Sequence, residues 1–393
     1  MDSEPNALFP ECERTNMRGK LPAQKEYTYL LTSARPEAQR VRTLVTDWFG
    51  RLPAEERGDW RGRFCSDDDS AHCGAFFELL LHEWLFRLGY KIELHPVLAG
   101  SAKRPDFRVS HADGRSFYLE ARSTDGNGPD DARTERFCAE VTQTIADIPS
   151  SDFFVFIHIT EEPTSQPALG ELRNKVSAWL QSLDYDTIAA AASEAGQFSI
   201  ELEVGGGRVL LTPHAKGSTR GRAASFGGVM IGGATIVDTQ ATIQRAFRRK
   251  ASRYGNIDAP FVVAINDLSE YWHEEHAYDS LFGREMTVVT RDGDVVDLRR
   301  DTSGLFGSAA NPRHTRVSGA LIVPGVGPWE FARRIPIFIA HPFAKYPAGA
   351  LFGTCAGHVM SEGELIETVQ RPCLGEIFSL PSGWPESADS GRA

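Results

Sequence analysis

Apolar residues recur at helical spacing between Pro36 and Leu52 (Val41, Leu44, Val45, Trp48, Phe49), with a proline near the start, and predict an amphipathic helix. A second short helix is expected over 53–61. The run CSDDDSAH offers aspartates and a serine as caps for a helix from about Cys73 to Leu88, which Gly89 ends. The pattern then shortens to strand length: Lys91–His95, Asp106–Ser110 and Ser116–Ser123 read as strands, the last two joined by the turn HADG. A helix over Arg133–Ile148 precedes FFVFIHIT, a nearly continuous apolar run expected of a strand covered on both faces. Further on come a helix over Gly170–Ser182, a hairpin in SIELEVGGGRVLLTPH, a helix at about 238–254 and a buried strand in APFVVAINDL. Two late strands, GALIVPG and PIFIAHP, follow. Residues 1–33 read as a mobile arm, 272–317 as polar loop with one hairpin around RDGD, and the end of the chain as a Pro/Gly-rich acidic tail.

These elements give an α/β chain. Its expected divisions are an N-terminal arm and helices (1–71), a core (72–160), a hairpin, basic helix and strand that extend this core (161–270), and a mixed, loop-rich C-terminal region (271–393). No apolar run approaches the roughly 18–20 residues a membrane span needs, and MDSEPNALFPECERTN lacks the apolar region of a signal peptide. The expectation is therefore a cytoplasmic protein with no membrane partner. None of the six cysteines forms a CxxC pair, which argues against a zinc ribbon or a redox dithiol. A net charge of −11 argues against a general basic coat for nucleic acid. It does not exclude a local groove. From Pro213 to Gly255 the chain carries Lys216, Arg220, Arg222, Arg245, Arg248, Arg249, Lys250 and Arg253 against Asp238 alone. A solvated helix face plus a loop would account for that stretch equally well.

Several familiar motifs fail. HEWLF has phenylalanine where a zinc-protease helix needs its second histidine, WHEEH lacks a third ligand nearby, and neither a phosphate loop nor GxSxG occurs. An acid pair remains. Asp106 opens one strand and Glu120 lies near the end of the next, so an antiparallel hairpin sets them side by side. Two close carboxylates repel unless a cation or proton intervenes, and they suit a hard divalent ion. A coincidental strand-entry aspartate and a solvent-facing glutamate are the plainer account. On a helical wheel Glu78 and His82 lie one turn apart within an apolar face, whereas Glu83 and Arg87 share a polar one. A buried Glu78 needs a partner, a proton or a metal; a purely structural hydrogen bond to His82 would also serve. Lys250 falls within about 40° of the centre of the stripe Ile243, Phe247, Ala251 and Tyr254. It either snorkels to solvent or reaches the acids.

A glutamate on a first helix, Pro105-Asp106 at a strand start and Glu120-Ala121-Arg122 on the next strand resemble the PD-(D/E)XK nuclease superfamily, the restriction-endonuclease-like fold. More narrowly, HEWLFRLGYKIELHPVLAG, KRPDF and FYLEA are similar to a bacterial group with such a core, here with an E-x-R form of the motif. The resemblance covers about residues 72–160. It implies a mixed sheet in the order helix, three strands, helix, strand, and a Mg²⁺- or Mn²⁺-dependent nuclease acting on nucleic acid, DNA in the first instance. Asp106 and Glu120 would be metal ligands, with the Ala121 carbonyl and Glu78 completing the shell and His82 beside them. Arg122 occupies the lysine position; it can stabilise charge but is a poor general base, and Lys250 is the candidate replacement, with Lys103 and Lys91 as further candidates. The alternative is a catalytically degenerate nuclease fold that binds or scaffolds, in a defence system, with a protein partner or as a homodimer.

Overall fold

In the computed structural model the chain forms two compact units, the first comprising Met1–Arg18, Lys25–Gly126 and Val237–Ala393, the second Gly19–Gln24 and Asn127–Ile236. The structure describes residues 7–21, 24–98, 101–124, 129–191, 195–221, 226–231, 239–251, 253–254, 257–269, 272–289, 295–349, 351–352, 356–361, 364–367 and 372–386. Four helices lead: α1 (Glu26–Thr32), α2 (Pro36–Phe49), α3 (Arg57–Phe64) and α4 (Asp69–Arg87). The three expected strands follow as β1 (Lys91–Leu94), β2 (Phe107–Ser110) and β3 (Ser116–Thr124). The second unit holds α5 (Pro129–Ala146), β4 (Phe153–Glu161), α6 (Leu169–Ser182), α7 (Tyr185–Ala190), β5 (Ile200–Val204), β6 (Gly207–Ala215) and β7 (Phe226–Ile231). The first unit resumes with α8 (Thr239–Ala251), β8 (Phe261–Asp267), α9 (Glu274–Phe282), β9 (Glu285–Val289) and β10 (Val295–Arg300). It ends with β11 (Gly307–Ser308), β12 (Asn311–Pro312), β13 (Gly319–Pro324), β14 (Ile337–Ala340), β15 (Ala356–Ser361), β16 (Glu364–Glu367) and α10 (Leu374–Ile377).

An eight-stranded mixed sheet, ordered β1-β2-β3-β8-β13-β14-β15-β16, is the frame of the first unit. Its centre is parallel: β8 pairs in parallel with β3 on one side and β13 on the other. All seven residues of β8 are buried. Val262 and Ala264 join the core under α4, while Phe261, Val263 and Ile265 join the core under α8 and α9. This is why its sequence is continuously apolar. Parallel neighbours need a crossover. Here α8 precedes β8, and Asn127–Ile236, all of the second unit but Gly19–Gln24, is inserted between β3 and α8.

That insertion corrects the expected core. The helix over Arg133–Ile148 and the strand FFVFIHIT do not adjoin β3; they are α5 and β4 of a separate four-stranded sheet, β5-β6-β4-β7. β4 alternates in burial, with Val155, Ile157 and Ile159 packed and Phe156 45% exposed, so it is covered on one face rather than two. The chain accordingly divides near 126 and 236 rather than at 160 and 270. Residues 1–33 are not simply an arm: Leu8, Tyr29 and Leu30 are buried, and Arg42 donates to the carbonyls of Leu30 and Ser33. The stretch read as loop after 272 contains α9, whose Ala277, Tyr278, Leu281 and Phe282 are buried. Its polar start, WHEEH, hid this spacing; His273 and His276 cap the helix through each other's backbone instead of facing a metal. The hairpin of β9 and β10 brackets RDGD, which lies outside the described residues. The expected acidic tail supplies β15 and β16 to the sheet edge.

Candidate functional site

The hairpin register settles where the acids stand. Phe107 is opposite Leu119, so Asp106, one residue earlier, sits beside Glu120. The Asp106 N–H donates to Glu120 Oε2 at 3.2 Å, and the Ala121 N–H donates to Asp106 Oδ2 at 2.7 Å. Ala121 thus enters the site through its N–H. The His95 N–H, donating to the Asp106 carbonyl, fixes the strand entrance. Side chains alternate along β3. Leu119 and Ala121 pack under α4, Tyr118 under α8, and Glu120 follows Tyr118 onto the α8 side, where it is 0% exposed.

A buried carboxylate must be paired, and α8 supplies the pairing. Its apolar stripe, Ile243, Phe247 and Ala251, is buried in the same core, and Lys250 shares that face. The Lys250 ammonium donates to Glu120 Oε1, as does Arg253 at 3.1 Å. The Tyr254 hydroxyl lies against Glu120 Oε2 and 2.9 Å from the Arg104 carbonyl. It has one proton for two acceptors, and the charged carboxylate is the stronger one. Burial, then the bond to Glu120, pushes the Tyr254 phenol above its ordinary range, so it remains protonated. Counting Asp106 N–H, four donors meet the roughly four lone-pair sites of the Glu120 carboxylate.

Glu78 meets a partner that the wheel did not show. Arg63 of α3 grips it bidentately, with Nη1 and Nη2 at 2.9 and 2.8 Å from Oε1 and Oε2. His82, one turn along, is buried, and among the described residues its Nδ1 has no hydrogen-bond partner. Burial, then the nearby Arg51, lowers its pKa to about 4, so the ring is neutral near pH 7. The polar face assigned to Glu83 and Arg87 is also revised: Glu83 is 1% exposed and held by Arg51 and Arg87.

Glu78, Asp106, Ala121, Arg122 and Lys250 line one cleft of about 250 Å³, with Arg63, Asp68, Ser70 and Gly74 on the α3–α4 side. Arg122 is exposed. The expected basic stretch does not stay together: Lys216 and Arg220 belong to the second unit, Arg245 to Arg253 to the first, and Arg222 and Asp238 lie outside the described residues.

The donor set can be tested against a hard divalent ion. Only oxygen ligands are on offer, which suits Mg²⁺ or Mn²⁺. Asp106 is the group that fits. Among the described residues no donor reaches its Oδ1. Burial first, then the Glu120 charge, raises its pKa to about 7; Lys250 opposes this and Glu78 adds to it. Surplus negative charge at Asp106 is what a cation would relieve. Glu120 and Glu78 are instead neutralised by Lys250, Arg253 and Arg63, and among the described residues no three His, Cys, Asp or Glu side chains converge as a ready metal group. An ion would therefore enter at Asp106 and reach Glu120 by exchange with its protein cations.

Sequence reasoning did not single out Arg63 or assign Arg253 and Tyr254 to the site. For Tyr254 a signal existed: it is four residues after Lys250, on the same helical face, but its ring was counted as apolar stripe. Among the described residues no helix is long and apolar enough to cross a membrane. No family model, curated protein or solved structure matches this chain.

Proposed function

We propose that the first unit is a divalent-metal-dependent phosphodiesterase of the restriction-endonuclease-like kind, hydrolysing the backbone of nucleic acid. The observation that carries this reading is Lys250, which lines the cleft with Asp106 and is bonded to the buried Glu120 just behind its wall. It supplies, from α8, the lysine that Arg122 replaces on β3. The order α4, β1, β2, β3, α8, β8 supports the same reading, since it is helix, three strands, helix, strand once the second unit is set aside.

Asp106 and Glu120 would hold Mg²⁺ or Mn²⁺, which when bound lowers the pKa of a coordinated water and draws charge from a phosphoryl oxygen. The chain's own groups do the rest. Lys250 brings a fixed positive charge to the cleft wall, where negative charge grows on phosphorus oxygens in the transition state. Arg122, always protonated, holds a non-bridging oxygen but takes no proton. Tyr254, buried, and Arg253, with its side chain exposed at one end, fix the Glu120 carboxylate, so its position does not depend on substrate.

A second reading is a nuclease-like fold that binds without cutting. It is favoured by the full pairing of Glu120 and Glu78 with internal cations. Cleavage of plasmid, single-stranded DNA and RNA in Mg²⁺ or Mn²⁺, with Asp106→Asn and Lys250→Met as controls, decides between them. Cleavage by the wild type that both variants lose supports the enzyme; cleavage equal in all three refutes the assignment. Nucleic-acid binding without cleavage or metal uptake by calorimetry selects the second reading.

A further inference from the structure

The cleft contains a guanidinium that neither the acid pair nor the lysine accounts for. Arg63 projects from the last turn of α3, and it lines the cleft with Asp106, Arg122 and Lys250. Its head is bound at three points: Nη1 and Nη2 to Glu78, and Nε to Asp59 Oδ2 at 3.1 Å. A guanidinium has five N–H donors. Two are left without an acceptor among the described residues, and the side chain is 33% exposed. Glu78 and Asp59 therefore orient the fork while leaving part of it open, so little side-chain freedom remains to be lost when a ligand arrives. The two, one on each Nη, lie on opposite edges of the head, so each can donate a single charge-assisted bond to a phosphate oxygen.

We infer that Arg63 is a substrate-binding residue that takes a backbone phosphate of the nucleic acid in this cleft, with Glu78 and Asp59 acting as its positioning residues. Arg63, Arg122 and Lys250 then surround Asp106 with three cations carried by three separate elements, α3, β3 and α8. The inference rests on the phosphodiesterase reading for its ligand class, but it concerns binding and does not require a bound metal.

The test measures binding of a fluorescein-labelled single strand of roughly 20 nucleotides in EDTA, with salt varied from about 50 to about 200 mM. Arg63→Ala is expected to weaken binding roughly 5- to 10-fold at the lower salt and to flatten the log–log salt slope by about 0.7, one phosphate contact on a single strand. Arg63→Ala combined with Glu78→Gln is expected to stay as weak as Arg63→Ala alone. If Arg63 served only to neutralise Glu78, the double variant would regain wild-type affinity and slope, and that result overturns the proposal. Arg63→Lys keeps the charge but loses the fork, and it carries the test should the alanine variant not fold. It is expected to bind roughly 3-fold more weakly with an unchanged slope, since a flexible ammonium replaces the planar head that Glu78 and Asp59 hold in place; wild-type affinity in it refutes the assignment. A wild-type protein that binds no strand at low salt removes the phosphodiester reading and this inference together. Normal wild-type binding, equalled by Arg63→Ala, removes this inference alone.

Discussion

Lys250 and Glu120 form a buried ion pair although they are 130 positions apart, with Asn127–Ile236 of the second unit between them. Neither residue is stable in its place without the other. Glu120 is 0% exposed on a central strand, and Lys250 is inside the apolar stripe of α8. The pair ties the helix that crosses the sheet to the strand it crosses from. It also joins the two groups on which the proposed chemistry depends.

A double-mutant cycle on stability measures that tie. Glu120→Gln leaves Lys250 an uncompensated buried cation, a loss that in buried pairs reaches about 3–5 kcal/mol, and Lys250→Met takes from Glu120 one of its two cations. Arg253 and Tyr254 remain on Glu120, so Lys250→Met is expected to cost less than Glu120→Gln. The combined variant should recover part of both losses, with a coupling energy on the order of 2 kcal/mol. Additive urea midpoints would show that the two residues do not interact.

The same geometry separates Lys250 from Arg122. If Lys250 supplies the transition-state charge, Lys250→Met lowers the rate of metal-dependent cleavage roughly 10²- to 10⁴-fold, the range seen when a positioned catalytic group is lost. Arg122 is exposed at the cleft. Arg122→Lys, which restores the familiar E-x-K spelling on β3, should leave cleavage within about threefold of wild type and should not rescue Lys250→Met. Single-turnover rates check both statements, and rescue by Arg122→Lys would return the catalytic role to β3.

How much of this was legible depended on whether the signal was local. The hairpin that sets Asp106 beside Glu120 follows from a four-residue turn and two short strands, all within about twenty positions. Lys250 was legible as an anomaly, a cation in the apolar stripe of a helix. The core boundary was not. FFVFIHIT and FVVAIND are equally apolar runs preceded by a helix, and nothing local says which one lies against β3. Only the pairing does, and the wrong run is nearer in sequence. Glu78 and Glu83 failed for a related reason. A helical wheel divides a helix into an inside and an outside, but α4 has a second layer over its outer face. Arg51, from outside α4, helps bury Glu83 on the expected solvent side, whereas Glu78, expected inside, is part-exposed and held by Arg63 of α3.

Asp106 gives the metal-free protein a definite pH dependence. Its pKa in the folded state is raised to about 7 from the ordinary value of 3.8. Between those values the folded protein holds a proton that the unfolded chain has released, so stability falls as pH rises through this window. In EDTA the thermal midpoint should drop from about pH 5 to about pH 8, and Asp106→Asn should flatten the drop. An ion that enters at Asp106 competes with the same proton, so added Mg²⁺ or Mn²⁺ should stabilise the protein more at about pH 8 than at about pH 5. A metal effect that is equal at both pH values, or unchanged in Asp106→Asn, would place the ion elsewhere.

His82 tests whether burial near the acids implies a role in the chemistry. It shares a small cavity with Glu78 and Asp106, yet its Nδ1 is buried without a partner among the described residues and the ring is neutral near pH 7, its pKa lowered to about 4. Bonded to neither acid, the ring fixes no carboxylate, and a base this weak is poorly matched to proton transfer near pH 7. An unsatisfied buried polar atom also costs on the order of 1–3 kcal/mol. His82→Leu should therefore keep the cleavage rate within about twofold and lose no stability, with any change in midpoint being upward. A loss of activity in a variant that folds as stably as wild type would show that the imidazole does reach the cleft chemistry, and it would reinstate the Glu78–His82 pairing that the helical spacing first suggested.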